Sequence, residues 1–163
     1  MAERNPTIVQ YPLERRKIVK KFIGAMIGWG ILFSILTGAI MLFLPLLSWI
    51  TAYLLVLYLV LALFYFWYER KYFERYYYDI RNDFLVIKKG IFAPRETTLP
   101  YEKLQDVYMD QDLLDRLFNL WDLHVSSATA MSGYAAHIEG VNIYNAETMK
   151  NMILEKIRRS KGG

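Results

Sequence analysis

Cysteine is missing from the 163 residues, and with it go disulfides, thiolate metal sites and cysteine nucleophiles. Histidine occurs only at His124 and His137. Two imidazoles are too few for a zinc centre unless Asp122 or Glu139 joins them, and their place among alternating strand residues suits solvated side chains better. No glycine-rich phosphate loop and no nucleophile-and-base arrangement stands out. The sequence therefore offers no catalytic residue, no cofactor site and no metal site. The largest gap is in charge: Phe22 to Tyr68 runs for 47 residues without one Asp, Glu, Lys or Arg. The rest of so short a chain is too small to wrap such a stretch, which excludes a single fully soluble domain.

A bilayer can hold it. Pro45 divides the run into two segments, residues 22–44 and 49–68. As helices these would measure about 34 Å and about 30 Å, each close to the hydrocarbon thickness of a membrane. The run begins too late and is too long for a cleaved leader, so it is expected to be a transmembrane helical hairpin over residues 22–68. Its flanks are basic. The N-terminal segment 1–21 carries Arg4, Arg15, Arg16, Lys17, Lys20 and Lys21 against Glu3 and Glu14, and the linker 69–75 carries Arg70, Lys71 and Arg75 against Glu69 and Glu74. The turn at Pro45 has no charge. Positive flanks stay in the cytoplasm, so both termini are expected there, in a multi-pass plasma-membrane protein. Residues 76–163 hold 11 Lys/Arg and 12 Asp/Glu, so the net charge of +4 resides at the membrane flanks. That pattern suits anionic lipid and argues against nucleic acid.

The first apolar segment also carries Gly30, Ser34 and Gly38 at four-residue spacing, with Gly24 and Gly28 as a second pair. Small residues at this spacing let another helix approach closely. The partner is either the hairpin's own second helix or another membrane protein, including a second copy. Neither segment has an ionisable residue, which argues against an ion pathway.

Beyond the linker the periodicity changes. Phe84-Leu85-Val86-Ile87 is a compact apolar strand after the turn signal Asn82-Asp83. Leu104 to Gln111 alternates, with Val107 and Met109 opposite Asp106, Tyr108 and Asp110. Trp121, Leu123 and Val125 alternate with Asp122, His124 and Ser126, which predicts a buried Trp121. Ala136 and Ile138 against His137 and Glu139 read as a further strand. Pro94 and Pro100 bracket residues 95–99, which suits an edge strand. Asp110, Asp112 and Asp115 read as a turn and a helix N-terminus. A closing helix is expected with Asn145 as its N-cap and Met149, Met152, Ile153 and Ile157 on its apolar face. Residues 76–163 are thus expected to form one cytoplasmic core by themselves.

Several of these residues resemble a known family, the bacterial pleckstrin-homology-like (PH-like) domain of membrane-flanked proteins. The similarity starts at Tyr11-Pro12-Leu13-Glu14-Arg15-Arg16-Lys17. It is most specific in Leu85-x-Ile87-x-x-Gly90-Ile91, Arg95, Pro100-Tyr101-Glu102-Lys103-Leu104-Gln105-Asp106-Val107, Gln111 and Arg116-Leu117-Phe118. Gly140 fits as a glycine after the last strand, and Ser126 to Gly133 fit the family's small-residue segment. Asn119 stands where the family usually has Gly, and Asn tolerates the positive φ of such a turn.

The resemblance implies a transmembrane hairpin followed by a PH-like antiparallel β-barrel or sheet with a C-terminal α-helix. It implies no catalytic activity. The expected function is a non-enzymatic, membrane-anchored interaction or assembly module at the cytoplasmic face of a prokaryotic plasma membrane. Its expected partners are membrane lipids and other membrane proteins or a second copy. The alternative is sensing or binding of lipid headgroups by the PH-like domain. Arg81, Lys88, Lys89 and Arg95 are the candidate lipid contacts, although Asp79, Asp83 and Glu96 dilute their field.

Overall fold

The computed structural model describes residues 6–127 and 137–162. They divide into two compact units, one of residues 18–71 and one that joins residues 6–17 to residues 72–162.

The first unit is apolar. Helix α2 covers Arg16–Phe43 and α3 covers Ile50–Arg75, with a 3₁₀ turn at Pro45–Leu47 between them. (Helix α1 is the short Thr7–Gln10.) Pro45 lacks an N–H and opens the turn, where a continuing α-helix would need that donor. Both helices are long and apolar enough to cross a membrane, with mean hydropathies of 2.1 and 2.2. Aromatic pairs stitch them in antiparallel order: Phe22 with Phe66 at 5.4 Å, Trp29 with Tyr65 at 5.2 Å and Phe33 with Tyr58 at 5.3 Å. The opposite faces stay uncovered, as at Leu32, Leu42 and Leu63.

The second unit holds two three-stranded antiparallel sheets. The first runs β1 (Tyr77–Ile80), β2 (Phe84–Lys89), β3 (Arg95–Pro100), in that order. The second runs β4 (Leu104–Asp110), β5 (Trp121–Ser127), β6 (His137–Val141). The expected barrel is not closed among the described residues. Pro100 ends β3, and a 3₁₀ turn at Tyr101–Lys103 swings the chain from one sheet to the other. β3 is an edge strand, as its two prolines imply.

Helix α4 (Leu113–Phe118) bridges β4 and β5, and α5 (Ile143–Lys161) closes the chain. The acidic cluster does what helix termini ask of it. Asp112 caps α4 by accepting from the Asp115 N–H at 2.6 Å, and the Asp115 carboxylate accepts from the Asp112 N–H. Asn119 ends α4 at φ 54°, the left-handed turn that Asn tolerates.

One cluster of buried side chains joins both sheets to α5, with Tyr78, Leu85, Leu104, Leu123, Ile138 and Met149 fully enclosed. Four expectations need correction. Trp121 is half-buried, because its strand begins at the rim and Leu123 and Val125 fill the centre. The cap of α5 is Asn142, whose side chain accepts from the Asn145 N–H at 2.9 Å; Asn145 lies inside the first turn. Gly140 sits within β6 and not after it. The core also reaches back beyond residue 76, since Leu13 is part of it. Of the fifth-strand segment and the sixth strand, residues 128–136 lie outside the described residues.

Residues 6–17 are fixed by polar contacts as well. The buried Asp79 carboxylate accepts from the Thr7 N–H and the Thr7 hydroxyl, both at 3.0 Å, and the same hydroxyl accepts from the Ile80 N–H at 2.9 Å. Farther on, the Glu14 N–H donates to the Gly140 carbonyl at 2.8 Å. Lys17 is 3% exposed, and its ammonium lies 3.3 Å from Glu139 and 4.4 Å from the centre of the Tyr76 ring.

Candidate functional site

The four cations singled out as lipid contacts separate along β2. Arg81 lies in the β1–β2 turn, where its Nε donates to Asp79 at 3.1 Å. That bond holds the guanidinium pKa above its ordinary value. Lys88, Lys89 and Arg95 lie at the other end of the sheet, four or more residues along β2 from Phe84, about 13 Å at strand rise. There Arg95 stands opposite Lys89 in register, and Lys88 pairs with Glu96 at 3.0 Å. No single cradle therefore gathers all four.

The second end gains a cation the sequence had suggested only as a topology signal. Arg75 donates through Nη1 to the Ile91 carbonyl at 3.1 Å, which ties the β2–β3 turn to the residues before β1. That turn, residues 90–94, has a defined shape. Gly90 adopts φ 106°, and a Cβ there would lie 2.6 Å from the Ala93 carbonyl oxygen, so only glycine fits. At its tip Phe92 is 76% exposed. An exposed apolar tip thus shares one end of the hairpin with the exposed cations Arg75, Lys88 and Arg95.

A second constellation runs across the other sheet. His124 and His137 are register partners on β5 and β6, and their rings stack at 5.3 Å. Tyr108 stacks on the far side of His124 at 4.9 Å. His124 contacts Asp110 at 3.1 Å, and Glu139 lies between His137 and Lys17. Lys89 approaches His137 Nδ1 at 3.4 Å. The histidines are thus half-buried members of a ring ladder, where strand alternation had suggested open solvation. Asp122 points elsewhere and accepts from the Gly140 N–H at 2.7 Å. Among the described residues no group of three or more His, Asp or Glu could hold a metal ion. The tyrosine beneath this cluster, Tyr76, donates to the His137 carbonyl at 2.7 Å; burial, then the Glu139 charge, pushes its phenol pKa well above 10.

A cleft of about 680 Å³ opens where α5 meets the β1–β2 turn, lined by Asp83, Tyr101, Glu102, Lys156 and Arg159 among others. Its charges are mixed, and Lys156 already lies 5.8 Å over the Tyr101 ring.

The small-residue stripe of α2 divides between faces. Within the apolar unit Gly30 meets the Tyr58 hydroxyl, 3.6 Å from where a Cβ would stand, and Ser34 donates to the Gly30 carbonyl. Gly28 and Gly38 have nothing within 4 Å of that position, and Gly24 is half-buried. The stripe thus supports the hairpin at Gly30 and leaves Gly28, Ser34 and Gly38 exposed.

No curated protein and no solved structure matched the chain. A family model did, and it takes in the apolar helices as well as both sheets and most of α5: over residues 18–157 the chain matches the bacterial PH domain, and it belongs to that family.

Proposed function

We propose that this protein is a non-enzymatic, two-pass anchor that presents a PH-like interaction module at the cytoplasmic face of a prokaryotic plasma membrane. One observation carries the reading: a bacterial PH domain shares its chain with two helices whose outer faces are apolar and uncovered. Water would not tolerate those faces, whereas lipid would. Basic flanks put both termini in the cytoplasm. The module acts on membrane proteins within lateral reach, and the exposed Gly28, Ser34 and Gly38 offer α2 a face for a second copy or another helix. Gripping of a specific headgroup is the weaker reading, because Arg81 is committed to Asp79 and lies apart from Lys88, Lys89 and Arg95.

Single-cysteine labelling in intact cells tests the topology, and the absence of native cysteine makes it clean. Ser48→Cys should react with an impermeant maleimide from outside, and Gln105→Cys only after the cells are opened. The reverse pattern would refute the proposed orientation.

A further inference from the structure

We infer that the β2–β3 turn is a bilayer-docking finger: Phe92 inserts at the headgroup–acyl boundary of anionic lipid while Arg75, Lys88 and Arg95 engage phosphates around it. The inference rests on the membrane-anchored reading above and deepens it. It differs from headgroup sensing, because it needs negative surface charge and no particular headgroup.

Four observations converge. Phe92 is 76% exposed at the tip of a turn whose backbone is fixed by Gly90 at φ 106° and Pro94. A large apolar side chain on a rigid point gains nothing in water, but it suits the interface, where apolar groups bury beside charged ones. The same end of the hairpin carries the exposed Arg75, Lys88 and Arg95, with Glu96 paired to Lys88 at 3.0 Å, whereas Lys89 turns toward His137. Arg75 braces the turn by its bond to the Ile91 carbonyl, so the tip cannot fold away without breaking it. Finally, the chain supplies the surface: Arg75 is only seven residues past Tyr68, the last residue of the uncharged run. A protein partner would fit an apolar point as well. The exposed cations and the short chain to the apolar run favour lipid, since an anionic bilayer matches both at once.

The test uses the full chain in nanodiscs, with a nitroxide on Ala93→Cys, which is exposed and leaves Phe92 in place. A second label at Leu55→Cys reports the anchor independently. With phosphatidylglycerol in the disc, the label at 93 should show high oxygen and low nickel-chelate accessibility, the mark of an interfacial depth. In pure phosphatidylcholine that signature should fade. Replacing Lys88 and Arg95 together by Gln should shift the docked-to-undocked ratio roughly 25-fold toward water, at about fivefold per cation. Phe92→Ser should remove the depth while weaker surface attraction persists. Phosphatidylserine should replace phosphatidylglycerol without loss, and dependence on one headgroup would overturn the inference in favour of specific sensing. A label at 93 that stays aqueous in every disc while Leu55→Cys reads lipid overturns the finger and leaves the anchor standing. If Leu55→Cys is aqueous too, the anchor itself fails. Shielding at 93 that persists in detergent without lipid assigns the tip to a protein contact and equally refutes docking.

Discussion

Substitution of Gly140 by alanine should be among the most damaging single-methyl changes in the chain. Gly140 lies inside β6 at φ 72°, a conformation that costs a residue with a Cβ about 1–2 kcal/mol. The new Cβ would also meet Lys17: its Cδ at 2.7 Å, its Cβ at 2.8 Å and its Cγ at 3.0 Å. The Lys17 stem cannot swing aside freely, because its Cβ is fixed to the backbone of α2 and its ammonium is held by Glu139. Overpacking of this kind adds about 1–3 kcal/mol, and stiffening of the unfolded chain returns less than about 1. The net expectation is a loss of about 2–4 kcal/mol, a large share of a domain's usual stability.

Pulse proteolysis across a urea series, on the full chain in micelles, would read this loss in the PH-like unit. The decisive comparison is a double-mutant cycle with Lys17→Gly, which removes all three clashing atoms. In that background Gly140→Ala should cost only its backbone share, about 1–2 kcal/mol. Equal costs in both backgrounds would show that Lys17 does not pass over Gly140 as described. A cost below about 1 kcal/mol in the wild type would dispose of the strained backbone as well.

The buried phenols set an alkaline limit. Burial raises the pKa of Tyr76 and Tyr78 above 10, so the fold keeps protons that the unfolded chain releases; their contribution is whole below pH 10 and is lost as pH rises past it. Tyrosinate absorbance should show late-ionising phenols whose titration coincides with unfolding, and full ionisation of all 13 tyrosines near pH 10 with the fold intact would contradict it. Asp79→Ala should free residues 6–17, because it leaves the Thr7 N–H and hydroxyl without their carboxylate. Limited trypsin digestion should then cut at the exposed Arg15 and Arg16 several-fold faster than in the wild type, and unchanged cutting would remove Asp79 from that role. Asp112→Ala should cost about 1 kcal/mol through loss of the α4 cap, read as a lower urea midpoint at unchanged slope.

What the sequence made legible is what local chemistry decides. Alternation located β4 and β5, prolines marked β3 as an edge, and the acidic run Asp110, Asp112 and Asp115 marked the start of α4, because each signal acts within a few residues. The two apolar helices were plain for the same reason: an uncharged run is read without knowing any contact. The failures share a different cause. Lys17 looks like one more basic flank residue, yet it is buried, because the partners that make burial tolerable are Glu139 and Tyr76, far away in the chain. Asp79 reads as a charge diluting a basic strand, but it anchors Thr7 across 72 residues. Gly140 looks like a turn glycine, and its need for glycine comes jointly from a positive φ and a lysine stem laid across it.

The candidate site divides in the same way. Lys88, Lys89 and Arg95 share one end of one hairpin, a nearness that their order in the sequence already implies. Arg81 falls at the opposite end, since proximity in sequence said nothing of the two ends of β2. Phe92 went unnoticed inside a family motif, because its significance is its exposure, which sequence does not state. Long-range burial thus turns a flank cation into a core group, while a glycine-fixed turn leaves an ordinary phenylalanine exposed at the tip of a basic hairpin.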